Sequence, residues 1–375
     1  MLLSLFQTLS TLIFMAPALL ATALGVGFII TIHEFGHFVF ARLFNIPVPT
    51  FSIGFGPVIY SKRIGSTNFA LSALPFGGYV DLTPSTETEH QMWTQKPWYQ
   101  KMLIMIGGIT FNLLFAILIF SLIFMTGTPK TGIAFPFNAT TTIGNITAGS
   151  PAEHAGIHTD DTITVINDVP VLHNMPILIH ELNHAENSEV ELTIQRQLEP
   201  IKIKLKVGGK NNSGRTIDTL GASFKLLDMP SQNPIQAFGL GIKLCWFHMK
   251  SIFHAYLNLF QKPDFSQLGG PIMIMRETMN ASYKGLAIFL LVLALISINL
   301  AILNLIPLPI LDGGQMLLYS IEAIIRKPLS EPIMNAIRLI SWLMAITLFI
   351  FLSAHDILRI ASPYIESIAL LLGIK

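Results

Sequence analysis

Two imidazoles four residues apart, with a carboxylate beside the first, stand in the stretch FIITIHEFGHFVFA, Phe28–Ala41. On a helix His33 and His37 project from one face, and Glu34 lies on a neighbouring side. Two such nitrogens can hold Zn2+, and the Glu can take a proton from a water acidified by the metal. The setting is apolar: reading from Met1, Glu34 is the first charged side chain. Ionisable groups inside a membrane span are costly and mark function by default. That argues against two histidines that merely finish a helix at the interface.

A catalytic zinc needs a third protein ligand and an open position. The chain has a single cysteine, Cys245, so a thiolate cluster is excluded and the metal must sit on His and carboxylates. The best candidate is Asp312, in NLAILNLIPLPILDGGQ, Asn299–Gln315. Pro307 and Pro309 break the helical pattern and release backbone amides and carbonyls. Irregular backbone at membrane depth survives only where it is buried in protein or lines a wet cavity. The competing reading is an exposed Asp in an ordinary span-ending turn, since Asp-Gly is a common turn dipeptide.

The elements that must carry these groups are membrane helices. Charged residues are 12% of the 375, against about 25% in soluble domains, and mean hydropathy is +0.59. Four stretches are long and apolar enough to cross a bilayer: within Thr11–Phe40, Met102–Met125, Leu286–Ile306, and about Leu339–Leu358. The N-terminus lacks the basic flank of a signal peptide, and its apolar run is too long for one. Arg42, Lys62, Arg63, Lys96 and Lys101 lie between spans one and two, and Arg326 and Lys327 between spans three and four. Both connections therefore read as cytoplasmic. A net charge of +1 gives no electrostatic case for nucleic acid.

Between spans two and three the pattern changes. TTIGNI, TITVIND, VELTIQRQ and IKIKLKV alternate apolar and polar residues as strands do. SPAEHAG, with Ser150 as N-cap and Pro151 at the first helical position, and MPILIHELNHAE read as two helices. Asn233–Phe260 has helical apolar periodicity interrupted by Lys and His. It reads as an amphipathic helix at the membrane surface or docked on the core, with a fifth span as the alternative. Pro49–Val80 reads as a hairpin or small sheet beside the membrane. Histidines 154, 158, 173, 180 and 184 lack ligand spacing and read as surface or packing residues.

Taken in order, HEFGH, FSIGFGP, LPFGGYV, GGITFN and NLIPLPILDGG resemble the site-2 proteases, intramembrane zinc metalloproteases. GSPAEHAGIHTDDTITVINDVPV resembles part of a PDZ domain, and the whole is similar to the bacterial regulator of sigma-E type. The resemblance implies a polytopic α-helical membrane protein with about four transmembrane helices, a membrane-associated β-loop and an inserted β-rich PDZ-like domain. The expected layout is a membrane core over 1–126, the PDZ-like domain over 127–210, a linker and amphipathic helix over 211–285, and a second membrane core over 286–375.

The resemblance also implies the site. His33, His37 and Asp312 match zinc ligands and Glu34 the catalytic base; Asn304 and Asn112 match substrate-binding asparagines. The β-loop would lend a strand edge to an unwound substrate. Expected partners are single-span membrane proteins such as anti-sigma factors or signal-peptide remnants, the bilayer, and a peptide ligand of the PDZ-like groove. The expected location is a bacterial inner membrane, with the inserted domain outside the cytoplasm. The chain departs from its best-known relatives in having room for one PDZ domain, in Asp160-Asp161 where Gly-Asp is usual, and in Asp81 where Lys is common. Two other readings fit parts of the pattern: a membrane-anchored PDZ scaffold with a structural or inactive metal site, and a zinc protease whose third ligand is a helical Glu such as Glu277 or Glu322.

Overall fold

The computed structural model describes residues 2–82, 93, 95–127, 139–172, 174–185, 188–197, 199–207, 220–226, 230–261, 269–327 and 329–371. Contacts divide the chain into two units. One comprises Met1–Ile123, Pro234–Pro263 and Gly269–Lys375; the other comprises Phe124–Asn233 and Asp264–Leu268.

The first unit is a set of long helices with one sheet. Helix α1 covers Leu2–Leu43, with Pro17 inside it. Strands β1 (Thr50–Ile64) and β2 (Thr67–Asp81) follow, then helix α2 (Trp98–Thr126). Among the described residues four helical segments are long and apolar enough to span a membrane: Met15–Leu43, Trp98–Thr126, Leu286–Leu303 and Pro332–Ser362. They fall where the hydropathy of the sequence puts them. The third ends three residues earlier than expected, because Asn304 caps it and the backbone then turns through Leu305–Leu311.

The sheet holds more than a hairpin. Thr50–Ile53 pairs on one side with Asn68–Leu71 and on the other with Gly78–Asp81, while Val58–Ile64 pairs with Thr67–Ser72. Both nominal strands are therefore bent double, and the sheet runs as four segments: 58–64, 67–72, 50–53, 78–81. Gly54 (φ 87°) and Gly77 (φ 101°) sit at the bends, in backbone that L side chains rarely adopt. The edge segment 78–81 closes against α1. A Cβ on Gly27 would lie 2.0 Å from the Pro75 carbonyl oxygen, so only glycine permits the approach. Val58, Ile59, Tyr60 and Ile64 on the opposite edge segment are exposed apolar groups, as expected of a loop in contact with lipid.

The second unit carries β3 (Ala139–Ile146), helix α3 (Pro151–His154), β4 (Thr162–Ile166), β5 (Val169–Pro170), helix α4 (Met175–His184), β6 (Glu189–Arg196), β7 (Glu199–Lys206) and β8 (Ala222–Leu226). The sheet order is β7-β6-β4-β3-β8, with β5 paired to β4, and every pairing is antiparallel. Buried residues such as Ile163, Ile166, Leu192 and Ile194 fill its core with Leu178 and Leu182 of α4. Ser150 caps α3 by accepting from the Glu153 amide, as its sequence predicts. β8 lies beyond residue 210, where the β-rich region was expected to end. Its five residues, ASFKL, are too short a run to stand out in sequence, and pairing with β3 is what makes them a strand.

Asp160 adopts φ 74°, the left-handed turn that glycine usually serves, so Asp160-Asp161 keeps the turn with a different residue. Asp161 is 1% exposed; it accepts from the His158 amide and takes two bonds from Arg196, at 2.8 and 2.7 Å. Burial alone would raise its pKa; the Arg196 hydrogen bonds and the His158 amide outweigh that and hold it below the ordinary value.

Back in the first unit, helix α5 (Pro234–Gln261) is the predicted amphipathic helix, and it docks on the core. Gly241 meets Ser121 and Ile117 of α2, and the Tyr256 hydroxyl donates to Asn299 at 2.7 Å. Helix α6 covers Pro271–Tyr283. Helices α7 (Leu286–Leu303), α8 (Asp312–Ile325) and α9 (Glu331–Leu371) complete the unit. Asp356 of α9 is fully buried and accepts from the amides of Gly270 and Met273, both at 2.9 Å, capping α6 from another helix.

A carboxylate whose pKa is depressed on folding stabilises above its unfolded pKa, and that stability is lost as pH falls through the folded value. The second unit is therefore expected to loosen below about pH 4, near the ordinary aspartate value. At neutral pH Asp161→Asn should cost about 2 kcal/mol, read as a lower denaturant midpoint for proteolysis of that unit. An unchanged midpoint would remove the Asp161–Arg196 bond from the stabilising set.

Candidate metal centre

Glycine determines how deep the histidines sit. A Cβ on Gly36 would lie 2.2 Å from the Gly107 carbonyl oxygen, and one on Gly107 would lie 2.7 Å from that of Gly36. The backbones of α1 and α2 are thus in direct contact, as small residues allow between membrane helices. One turn along, a Cβ on Gly108 would lie 2.6 Å from both His33 Cε1 and His37 Nε2. The two rings occupy the space that a side chain at 108 would need.

Asp312 comes from the far end of the chain. After α7 the backbone turns tightly, and the Gly313 amide donates to the Asn304 carbonyl at 2.6 Å. Gly313 and Gly314 have no room for a Cβ: one would meet Leu305 O at 2.5 Å and the other Leu308 O at 2.1 Å. The carbonyl of Pro309 accepts from Gln315 Nε2 at 2.6 Å, so the irregular segment meets much of its own hydrogen-bonding demand. Asp312 opens α8, where the positive end of the helix dipole favours a carboxylate.

Three ligand atoms converge. His33 Nε2 lies 3.2 Å from His37 Nε2 and 3.0 Å from Asp312 Oδ2, and His37 Nε2 lies 3.5 Å from Asp312 Oδ1. Tetrahedral ligands at zinc bond lengths are separated by about 3.3 Å. Asp312 Oδ2 is buried without a hydrogen-bond partner, and two imidazoles aim the same nitrogen toward that carboxylate. A divalent cation satisfies all three groups at once. Among the described residues this is the one group of three His, Cys, Asp or Glu that could hold a metal, and neither Glu277 nor Glu322 is in it.

The outer nitrogens of the rings are also held. His37 Nδ1 lies 2.8 Å from the Ile104 carbonyl, which can only accept, so Nδ1 carries the proton and Nε2 is free for metal. His33 Nδ1 lies 3.2 Å from Asn112 Nδ2, while Asn112 Oδ1 is buried and unpartnered. Rotating that amide by 180° gives Oδ1 a donor in His33 Nδ1–H and frees His33 Nε2 as well. Asn112 is fully buried and its backbone carbonyl accepts from Ser297 at 3.0 Å. The structure therefore sets it against a ligand, where the sequence led us to expect contact with substrate. Asn304 Nδ2 lies 3.2 Å from His33 Nε2, on the metal-facing side of the ring. Glu34 Oε2 accepts from the Val80 amide of the sheet edge at 3.1 Å.

Sequence reasoning picked out His33, Glu34, His37 and Asp312, which the structure brings together, but missed four groups that hold them: Gly36, Gly108, the Ile104 carbonyl and the Val80 amide. The Gly-Gly of GGITFN was the available signal, since paired glycines within an apolar span mark close backbone approach.

A polar three-ligand centre built by discontinuous membrane helices defines a metallopeptidase of the intramembrane class. The profile of peptidase family M50 matches residues 21–348, and the chain belongs to that family, the site-2 proteases. It is a zinc metalloprotease and an integral membrane protein. Similar proteins bear the name "Putative zinc metalloprotease". That of Campylobacter jejuni, Cj1068, is 30% identical, covering 91% of this chain and 93% of its own length. That of Clostridium acetobutylicum is 28% identical, covering 89% and 95%. That of Helicobacter pylori strain J99 is 30% identical, covering 88% and 95%. This membership sets aside the reading of the chain as a scaffold without activity.

Gly108→Ala is expected to displace both imidazoles and reduce bound zinc at least about tenfold, the scale of supporting-shell losses. Metal analysis of the purified protein checks it; full zinc occupancy would mean that α2 can withdraw. Asn112→Leu should also weaken zinc by about tenfold or more, while Asn112→Asp, which keeps an acceptor for Nδ1–H, should recover most of it.

Proposed function

We propose that this chain is an intramembrane endopeptidase that cleaves single-span membrane proteins, with His33, His37 and Asp312 holding zinc and Glu34 as the base. The observation that carries the reading is the convergence of those three ligands, at the edge lengths of a zinc tetrahedron, within apolar helices. Zinc, when bound, supplies a Lewis acid that makes water nucleophilic near neutral pH. Glu34 takes the proton from that water and returns it to the departing amine. The Val80 amide holds Glu34 Oε2 and leaves the other carboxylate oxygen to act as the base.

Asn304 offers its amide NH2 to the carbonyl oxygen of the bond under attack, from beside His33. Asn112 acts as a positioning residue through His33. A strand edge of the Thr50–Asp81 sheet pairs with substrate that has unwound, replacing hydrogen bonds that its helix gave up. The second unit acts as a PDZ-like domain that binds peptide and limits access. Its all-antiparallel sheet with two helices supports that assignment. Its place outside the cytoplasm of a bacterial inner membrane rests on the Lys and Arg of the short connections. Anti-sigma factors and signal-peptide remnants are the substrates this reading favours.

The test is cleavage of a single-span model substrate by purified protein in detergent. Glu34→Gln should lower kcat by about 10²–10⁴-fold, and a zinc chelator should stop turnover reversibly. Cleavage indifferent to both would overturn the mechanism. Removal of Thr140–Val207 should leave zinc content unchanged and raise cleavage of substrates that the intact protein spares.

A further inference from the structure

One face of α1 is given over to the sheet. Gly27, Thr31 and Glu34 follow one another at intervals of four and three residues, so they stand in one row along the helix. Each meets the chain between Pro75 and Val80. Gly27 leaves room for the Pro75 carbonyl. The Thr31 hydroxyl lies 2.8 Å from the Gly27 carbonyl oxygen and 3.3 Å from that of Gly77. Glu34 Oε2 accepts from the Val80 amide at 3.1 Å. A Cβ on Gly78 would lie 2.5 Å from the Ser52 carbonyl oxygen and 3.3 Å from Thr31 Oγ1, so this segment is packed closely on both sides.

The partner strand is tied to the same helix by rings. Phe51 stands opposite Val80 in the register. Its ring centroid lies 6.0 Å from that of Phe35 and 5.5 Å from that of Phe38, the residues one and four places after Glu34. The H-E-x-x-H motif is thus held from two directions. His33 and His37 have their outer nitrogens fixed from α2, through Asn112 and the Ile104 carbonyl. Neither contact restrains Glu34, whose side chain has three rotatable bonds. Among the described residues its carboxylate has one hydrogen-bond donor, the Val80 amide of the sheet.

We propose that the sheet is the positioning element for the base. The Val80 N–H, seated by Thr31 and by the ring of Phe51, holds one oxygen of Glu34 in place and so limits where the other, reacting oxygen can lie. Val80 and Thr31 are positioning residues that act through Glu34. This rests on the endopeptidase reading above, in which Glu34 is the base and the sheet lends an edge to substrate. One element then both receives the substrate and sets the base. A charge-assisted bond from a backbone amide suits this task, because it is strong and its donor cannot change rotamer.

The test is cleavage of the single-span model substrate by full-length protein in detergent, with zinc content measured for each variant. Proline at 80 removes the N–H that serves Glu34, and proline is tolerated in extended backbone at a sheet edge. Val80→Pro should lower kcat about 10–100-fold, the scale of a misplaced catalytic group, with KM and zinc content unchanged. Val80→Ala, which keeps the N–H, should recover most of that loss. Thr31→Val should lower kcat about 3–10-fold, as expected for one lost hydrogen bond, and Thr31→Ser should restore it. If Val80→Pro loses zinc, the Thr31 pair decides alone. The double variants separate positioning from general damage. Added to Glu34→Gln, Val80→Pro or Thr31→Val should cost nothing further, whereas a merely disturbed sheet would multiply the losses. Multiplied losses, or a kcat unmoved by the single variants, would overturn the positioning role. Failure of the catalytic reading looks different, because turnover would then survive Glu34→Gln itself.

Discussion

The whole centre depends on two helix backbones touching. With glycine at 36 and 107, α1 and α2 close until the Cα of each glycine faces the carbonyl oxygen of the other, and Gly108 leaves a hollow that the two imidazoles fill. This contact brings each ring within reach of a fixed partner on α2, Ile104 for one and Asn112 for the other. In hydrocarbon an imidazole with a free outer nitrogen would cost energy and could present the wrong tautomer. The glycines thus solve two problems at once: they bury the histidines, and they place acceptors where the buried rings need them.

The second constraint is the delivery of an anion to that buried pair. Asp312 follows a segment with prolines at 307 and 309, yet that segment is tightly held. Gly313 donates to Asn304, Gln315 closes on Pro309, and the glycines at 313 and 314 let the first turn of α8 press on the loop. The same turn sets Asn304 and Asp312 on the metal-facing side of His33. A single backbone bond between them, Gly313 N to Asn304 O, therefore couples the position of the Asp312 carboxylate to that of the Asn304 amide.

Much of this was legible in the residues, for physical reasons that differ from element to element. His33, Glu34, His37 and Asp312 stood out because charge in an apolar span needs a reason. The four spans stood out because the bilayer sets their length. What could not be read depends on tertiary pairing. The edge segment 78–81 arises because two fifteen-residue runs fold back on themselves, which alternation along a chain does not reveal. β8 is a strand through β3, and α6 is held at its start by Asp356, some 85 residues away. Asn112 looked like a substrate contact from its motif alone, and only its depth beside His33 Nδ1 gives it a structural partner.

Asp356 shows how loosely the fourth span is otherwise tied. Leu339, Trp342, Leu343, Phe349 and Ile350 of α9 are exposed, as befits a lipid-facing helix, and in lipid apolar contacts between helices bring no hydrophobic gain. The buried carboxylate of Asp356, bonded to two amides at the start of α6, is thus a principal polar attachment of α9 to the core. Gly270 is required there, because a Cβ would lie 2.6 Å from Asp356 Oδ2 and 2.8 Å from the Leu352 carbonyl oxygen.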